Sequence, residues 1–79
     1  MLVAHKQRPD EDHWTPLTWR PAISDGVEGA MLFCANGHAT GFLPGGNHHI
    51  EMRGIVIPSV ICMHPGCTFH EIIRLEGWA

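Results

Sequence analysis

The sequence lacks several features that mark common classes of protein. It has no tyrosine, and its five lysine and arginine residues are scattered along a chain with a formal net charge of −3. No apolar run approaches the roughly 18 residues that a membrane-spanning helix needs, and residues 1–10 hold no apolar segment typical of signal peptides. Domains that bind nucleic acid usually carry a basic patch, and none is evident here. We therefore expect a cytoplasmic protein that does not span a membrane.

The chain also lacks a stretch suited to a long helix, because nine glycines and six prolines interrupt it. Short runs of β-branched and apolar residues lie between Gly- and Pro-rich turns, which is typical of strands. We predict an irregular polar arm over residues 1–16 and a single β domain over residues 17–79. The predicted strands cover residues 17–20, 30–34, 39–43, a segment starting near 48, 55–61 with Pro58 at an edge or bulge, and 67–75.

A chain of 79 residues can build only a small core, and such a core rarely supplies more than about 3–5 kcal/mol. Some further cross-link is therefore expected. The three cysteines cannot all pair with one another, and seven histidines are available as additional ligands. In a reducing compartment thiols stay free or bind metal, so metal-ligand spacing is the informative signal.

Two glycine-containing turns carry residues at that spacing. Cys34 and His38 flank residues 35–37, and Cys62 and Cys67 flank residues 63–66. A tight turn lets two side chains converge on one ion, and two facing turns supply the four N or S ligands of a tetrahedral zinc site. The spacing predicts one structural Zn²⁺ bound by Cys34, His38, Cys62 and Cys67.

The identity of the fourth ligand is not fixed by the spacing alone. His70 follows Cys67 by three residues and is an alternative ligand, so that His38, Cys67 or His70 completes the site. His64 lies inside the second turn and is expected to be exposed. A disulfide between Cys62 and Cys67 is a further alternative, although a reducing compartment argues against it.

The two turns together resemble a zinc ribbon, in which two metal-binding knuckles lie at the tips of β-hairpins. The resemblance covers residues 31–76 and rests on the pairs Cys34/His38 and Cys62/Cys67. It implies a small, metal-stapled, all-β fold of antiparallel hairpins. This sequence departs from the commonest ribbon in the wider spacing of both pairs and in the histidine that replaces one cysteine.

Shorter segments resemble small phage or prophage proteins of unknown function. These segments are Cys34-x-Asn36-Gly37-His38, Ile57-Pro58-Ser59-Val60, Cys67-x-Phe69-His70 and Leu75-Glu76-Gly77-Trp78. The likeness implies a phage-related origin and a location in the cytoplasm of a bacterial cell or a phage-infected host. It implies no activity.

A site closed by four protein ligands has no open position for water, which is typical of a structural site. We therefore predict no enzymatic activity and no small-molecule substrate, and we expect an accessory or protein-interaction module with an unidentified protein partner. A nucleic-acid-binding zinc ribbon is the alternative, which the net charge disfavours. A metal-dependent nuclease or hydrolase that uses His48 and His49 comes third. The three tryptophans, Trp14, Trp19 and Trp78, belong either to the core or to an interface.

Overall fold

A computed structural model describes residues 1–45 and 47–78. Within these residues the chain forms seven β-strands and no helix, so the all-β prediction is confirmed. The described ranges accordingly hold no helix of the length and apolar character needed to cross a membrane. The strands are β1 (Leu2–Lys6), β2 (Thr18–Ser24), β3 (Val27–Phe33), β4 (Ala39–Leu43), β5 (His49–Ile50), β6 (Ile55–Ile61) and β7 (His70–Leu75).

The seven strands form one sheet in the order β4-β3-β2-β1-β7-β6-β5. The central strand, β1, pairs parallel with β2 and β7, whereas the other neighbouring strands pair antiparallel. This placement of β1 differs from the irregular arm expected over residues 1–16. The segment Leu2–Lys6 fully buries only Ala4, and its polar residues hide the two-residue alternation that identifies a strand.

Two prolines lie inside strands, at positions where the N–H that proline lacks is not needed for a hydrogen bond between strands. The carbonyl of Trp19 in β2 accepts the N–H of Gln7 beside β1. The side of a strand toward which the backbone nitrogen points repeats every two residues, so the nitrogen of Pro21, like the carbonyl of Trp19, faces the β1 side of β2. At Pro21 the pairing of β1 with β2 has already ended. Pro58 in β6 lies where the pairing with β7 is irregular. The predicted bulge at Pro58 is therefore confirmed, and β6 is not an edge strand.

One face of the sheet carries the core. Trp19 is its largest fully buried side chain, and its ring nitrogen donates to the carbonyl of Glu76 over 2.9 Å. Trp78 packs against Trp19 with ring centroids 5.7 Å apart, so these two tryptophans belong to the core. The buried cluster comprises Ala4, Trp19, Ala30, Leu32, Cys34, Leu43, Val56, Val60, Cys62, Phe69, Ile73 and Leu75.

The opposite, outer face is covered on one half of the sheet and open on the other. On the β2–β3 half, the rings of His13 and Trp14 meet the ring of Phe33 edge-on at 5.9 and 5.5 Å. Phe33 is consequently only 1% exposed, while Trp14 itself remains 57% exposed. We call residues 7–17 the covering segment. The exposed apolar side chains on the β6–β7 half are Ile57, Ile61 and Ile72.

Candidate metal centre

Both predicted ligand pairs lie in hairpin turns. Cys34 directly follows β3 and His38 directly precedes β4, whereas Cys62 directly follows β6 and Cys67 lies three residues before β7. We call residues 34–38 the first knuckle and residues 62–67 the second knuckle. Because β3 and β6 are not neighbours in the sheet, the contacts between the two knuckles are made by the turns and not by strand pairing.

Glycine in a left-handed conformation closes each knuckle. Gly37 has a φ of 81° and Gly66 a φ of 79°, a region that glycine adopts without the steric cost other residues incur. The N–H of Gly37 donates to the carbonyl of Cys34 over 2.9 Å, and the N–H of Cys67 donates to the carbonyl of His64 over 2.9 Å. Each turn thus holds its two candidate ligands close together.

The four ligand atoms form a compact group, all within 4.8 Å of one another. The Sγ atoms of Cys34 and Cys67 are 3.9 Å apart, and His38 Nδ1 lies 3.7 Å from Cys34 Sγ and from Cys62 Sγ. In a tetrahedral zinc site, bonds of about 2.3 Å to sulfur and 2.0 Å to nitrogen separate two sulfurs by about 3.8 Å and sulfur from nitrogen by about 3.5 Å. The cluster therefore has dimensions that could accommodate one metal ion.

Burial divides the four residues into two pairs. Cys34 and Cys62 are 0% and 3% exposed and belong to the hydrophobic core. His38 and Cys67 are only partly buried. The cluster therefore has one side against the core and one side toward solvent.

Backbone amides lie beside the sulfurs of the cluster. The N–H of Asn36 donates to Cys34 Sγ over 3.3 Å, and the amides of His64 and Phe69 each act to lower the pKa of the cysteine two residues before them, Cys62 and Cys67. Hydrogen bonds of this kind stabilise a thiolate, which is the form of cysteine that binds metal.

The surroundings shift the pKa values of two thiols in opposite directions. The backbone amide of Phe69, assisted by the side chains of Asn36 and His38, lowers the pKa of Cys67 to about 6. Burial raises the pKa of Cys62. Cys67 therefore loses its proton more readily than the buried Cys62. A coordinated divalent cation deprotonates the thiols bound to it.

Two side chains outside the predicted set contact ligands across the knuckles. The side-chain amide of Asn36, in the first knuckle, donates to Cys67 Sγ over 3.4 Å. The ring of His64, in the second knuckle, stacks on the ring of His38 with centroids 3.7 Å apart and planes 7° from parallel. In the sequence, Asn36 stands out only as part of the first turn and of a segment that resembles phage proteins. The signal that could have singled it out is its position between two predicted ligands.

Of the other predicted candidates, His64 lies within the second knuckle and is exposed, as predicted, whereas the histidines at 48, 49 and 70 lie away from the cluster. The alternative ligand His70 lies on the outer face with its Nε2 2.6 Å from the hydroxyl of Ser59, outside the four-residue group. Both ring nitrogens of His48 lie beside carbonyl oxygens, 3.1 Å from that of Gly45 and 2.9 Å from that of Ser59. His49 is exposed in β5.

These observations define a small all-β protein whose Cys₃His cluster could hold one metal ion, with all three cysteines free. Comparisons with protein-family models, with curated proteins and with solved structures find no match to this chain. Its function therefore has to be inferred from the cluster and the surface.

Proposed function

We propose that the chain is a small structural-zinc domain of the zinc-ribbon type, in which Cys34, His38, Cys62 and Cys67 bind one Zn²⁺. The observation that carries the proposal is the convergence of four soft or borderline donor atoms within 4.8 Å from two separate hairpin turns. Three sulfurs and one imidazole nitrogen in one compact group favour zinc over magnesium or calcium, which prefer oxygen ligands. The backbone N–H of Asn36 donates to Cys34 Sγ and its side-chain amide to Cys67 Sγ, which offsets part of the negative charge of three thiolates around a single dication.

The role of the metal is to stabilise the fold. With four protein ligands the ion has no open position for water, so the site provides no activated hydroxide and we propose no catalytic activity. Zinc-finger peptides gain roughly 10–16 kcal/mol of apparent binding energy that is also folding energy. This exceeds the roughly 3–5 kcal/mol expected of a core this small. Zinc thus joins two hairpins that the sheet alone brings together weakly.

The metal-stapled sheet in turn presents a surface for a protein partner. The outer face of β6–β7 exposes Ile57, Ile61 and Ile72 to between 43% and 51%, and exposed apolar groups in one area are typical of interaction sites. A phage-related accessory or interaction module in the bacterial or infected-host cytoplasm is our proposal for the biological setting. The three free thiols suit a reducing compartment.

Metal analysis tests the proposal directly. Protein purified without added metal is expected to contain one zinc per chain by elemental analysis. Its dispersed amide NMR spectrum should collapse when a strong chelator removes the ion, and return when zinc is restored. Cys62→Ser removes a buried ligand. This variant should therefore not hold one zinc per chain, and it should give the collapsed spectrum.

His70→Ala is the matched control. His70 is the alternative ligand suggested by the sequence, but its Nε2 contacts the hydroxyl of Ser59 rather than the cluster. This variant should keep one zinc and a folded spectrum. A wild-type chain that stays folded without metal would overturn the structural role, and loss of zinc from His70→Ala would overturn the ligand set.

A further inference from the structure

The two sides of the metal centre are protected in different ways. On the inner side, Cys34 and Cys62 are covered by the core. On the outer side, His38 and Cys67 are only partly buried, and each is contacted by a side chain from the facing knuckle, Cys67 by Asn36 and His38 by His64. These contacts are reciprocal, since each knuckle supplies one non-ligand side chain to the solvent-facing ligand of the other knuckle.

We propose that Asn36 and His64 act as a clasp across the two knuckles that slows release of the bound metal. The inference rests on the proposed zinc site and goes beyond it, because it assigns a positioning role to residues that are not ligands.

The physical basis lies in how a metal leaves a closed site. Four ligands cannot dissociate at once, so release begins when one ligand detaches and water, a proton or a chelator takes its place. The buried cysteines are inaccessible to such a competitor, which leaves Cys67 and His38 as the first to detach. Partners around a ligand commonly change metal affinity about 10–100-fold when removed.

Asn36 acts on the sulfur. Its backbone N–H donates to Cys34 Sγ and its side-chain amide to Cys67 Sγ, over 3.3 and 3.4 Å. Asn36 therefore hydrogen-bonds to one ligand in each knuckle. Its side-chain amide also directs an N–H donor at the negatively charged sulfur of Cys67. Zinc with three thiolates carries a formal charge of about −1, so replacement of this donor by a carboxylate would add repulsion.

His64 acts on the imidazole. Its ring lies flat against the ring of His38 at a centroid distance of 3.7 Å. The stacked ring restricts rotation of the His38 imidazole and so keeps Nδ1 directed at the metal site. This effect needs a flat ring and does not need a nitrogen, so His64→Phe should preserve it.

Transfer of zinc from the loaded protein to a coloured chelator tests the clasp. Asn36→Ala and His64→Ala are each expected to release zinc about ten times faster than wild type, and Asn36→Asp faster than Asn36→Ala. His64→Phe should release it at nearly the wild-type rate. Asn47→Ala and His70→Ala, which change the same residue types outside the site, should leave the rate unchanged.

Cobalt-substituted protein provides the second readout. The visible absorption bands of Co²⁺ should be the same in wild type, Asn36→Ala and His64→Ala, because all four ligands remain. Altered bands in His64→Ala would make His64 a ligand and overturn the clasp. Unchanged release rates in both alanine variants would also overturn it while leaving the zinc site intact. Absence of stoichiometric zinc from the wild type would instead defeat the proposed function itself.

Discussion

The two knuckle hairpins, β3–β4 and β6–β7, follow one plan but differ in how they are supported. Each places a buried cysteine directly after its first strand and a more exposed ligand before its second. The first hairpin also has the covering segment against its outer side. The carbonyl of Cys34 accepts the N–H of Leu17 over 3.1 Å, and Trp14 packs on Phe33. The second hairpin has its apolar outer face exposed.

In the proposed zinc-bound form, this difference makes the two knuckles depend on the metal to different degrees. The first knuckle is held by backbone bonds and aromatic packing as well as by its ligands. The second knuckle would rely more on the metal and on the proposed clasp residues, because the isoleucines on the outer face of its hairpin are about half exposed. The proposed partner surface on β6–β7 would then be secured by the metal rather than by a covering segment.

The largest expected effect comes from comparing alanine substitutions on the two halves of the outer face. Phe33→Ala should lower the free energy of unfolding of the metal-loaded protein by about 3–5 kcal/mol, because it empties a buried aromatic site under Trp14. Ile72→Ala should cost at most about 1 kcal/mol, since that side chain is already 49% exposed. Urea unfolding at saturating zinc measures both. Equal losses for the two variants would contradict the asymmetric covering of the sheet.

Local chemistry explains why much of this organisation can be predicted from sequence. The strand over residues 39–43 is found at those residues, as is the strand over 55–61. Both follow from β-branched or apolar runs between turns that contain glycine or proline. The four clustered residues are likewise those predicted from the pairs Cys34/His38 and Cys62/Cys67, because spacing within one tight turn is a local property.

The features that sequence analysis misses depend on distant partners. β1 is a strand because β2 and β7 flank it, a condition that its own five residues do not encode. The strand expected to start near residue 48 is reduced to His49–Ile50. The strand expected from residue 67 begins at His70, because Cys67 is held in the second knuckle by its hydrogen bond to the carbonyl of His64. The cross-knuckle contacts of Asn36 and His64 arise only when both hairpins meet.

The two knuckle glycines allow a finer test of the same asymmetry. Both have φ near +80°, so alanine at either position costs about 1–2 kcal/mol in backbone strain. A Cβ on Gly37 would also lie 2.9 Å from the carbonyl oxygen of Trp14, whereas a Cβ on Gly66 meets nothing within 4 Å. Gly37→Ala should therefore be the more destabilising by about 1 kcal/mol or more. Urea unfolding of the zinc-loaded variants measures the difference. Equal losses in the free energy of unfolding would mean that the covering segment does not pack tightly against the first knuckle.

The smallest expected effect concerns the attachment of the covering segment to β1. Glu11 accepts the N–H of Arg8 over 2.8 Å, and its two carboxylate oxygens lie 2.9 and 3.0 Å from His5 Nε2. The hydrogen bond from the Arg8 amide, followed by that with His5, lowers the pKa of Glu11 below its ordinary value of 4.5. A carboxyl group with a lowered pKa stabilises the fold above its ordinary pKa, and that contribution is lost as the pH falls through the folded value.

At neutral pH the contribution of Glu11 is therefore present in full. Glu11→Gln should lower the Tm of the zinc-loaded protein slightly at low salt, and the loss should shrink at high salt, because salt screens a charge that solvent partly reaches. Asp10→Asn, which removes a neighbouring exposed carboxylate, is the control and should change the Tm less. Thermal melts at pH 7 in low and high salt decide the point. Equal effects of the two substitutions would show that net charge, rather than the His5–Glu11 contact, is responsible, and would leave the aromatic packing on Phe33 as the principal attachment of the covering segment.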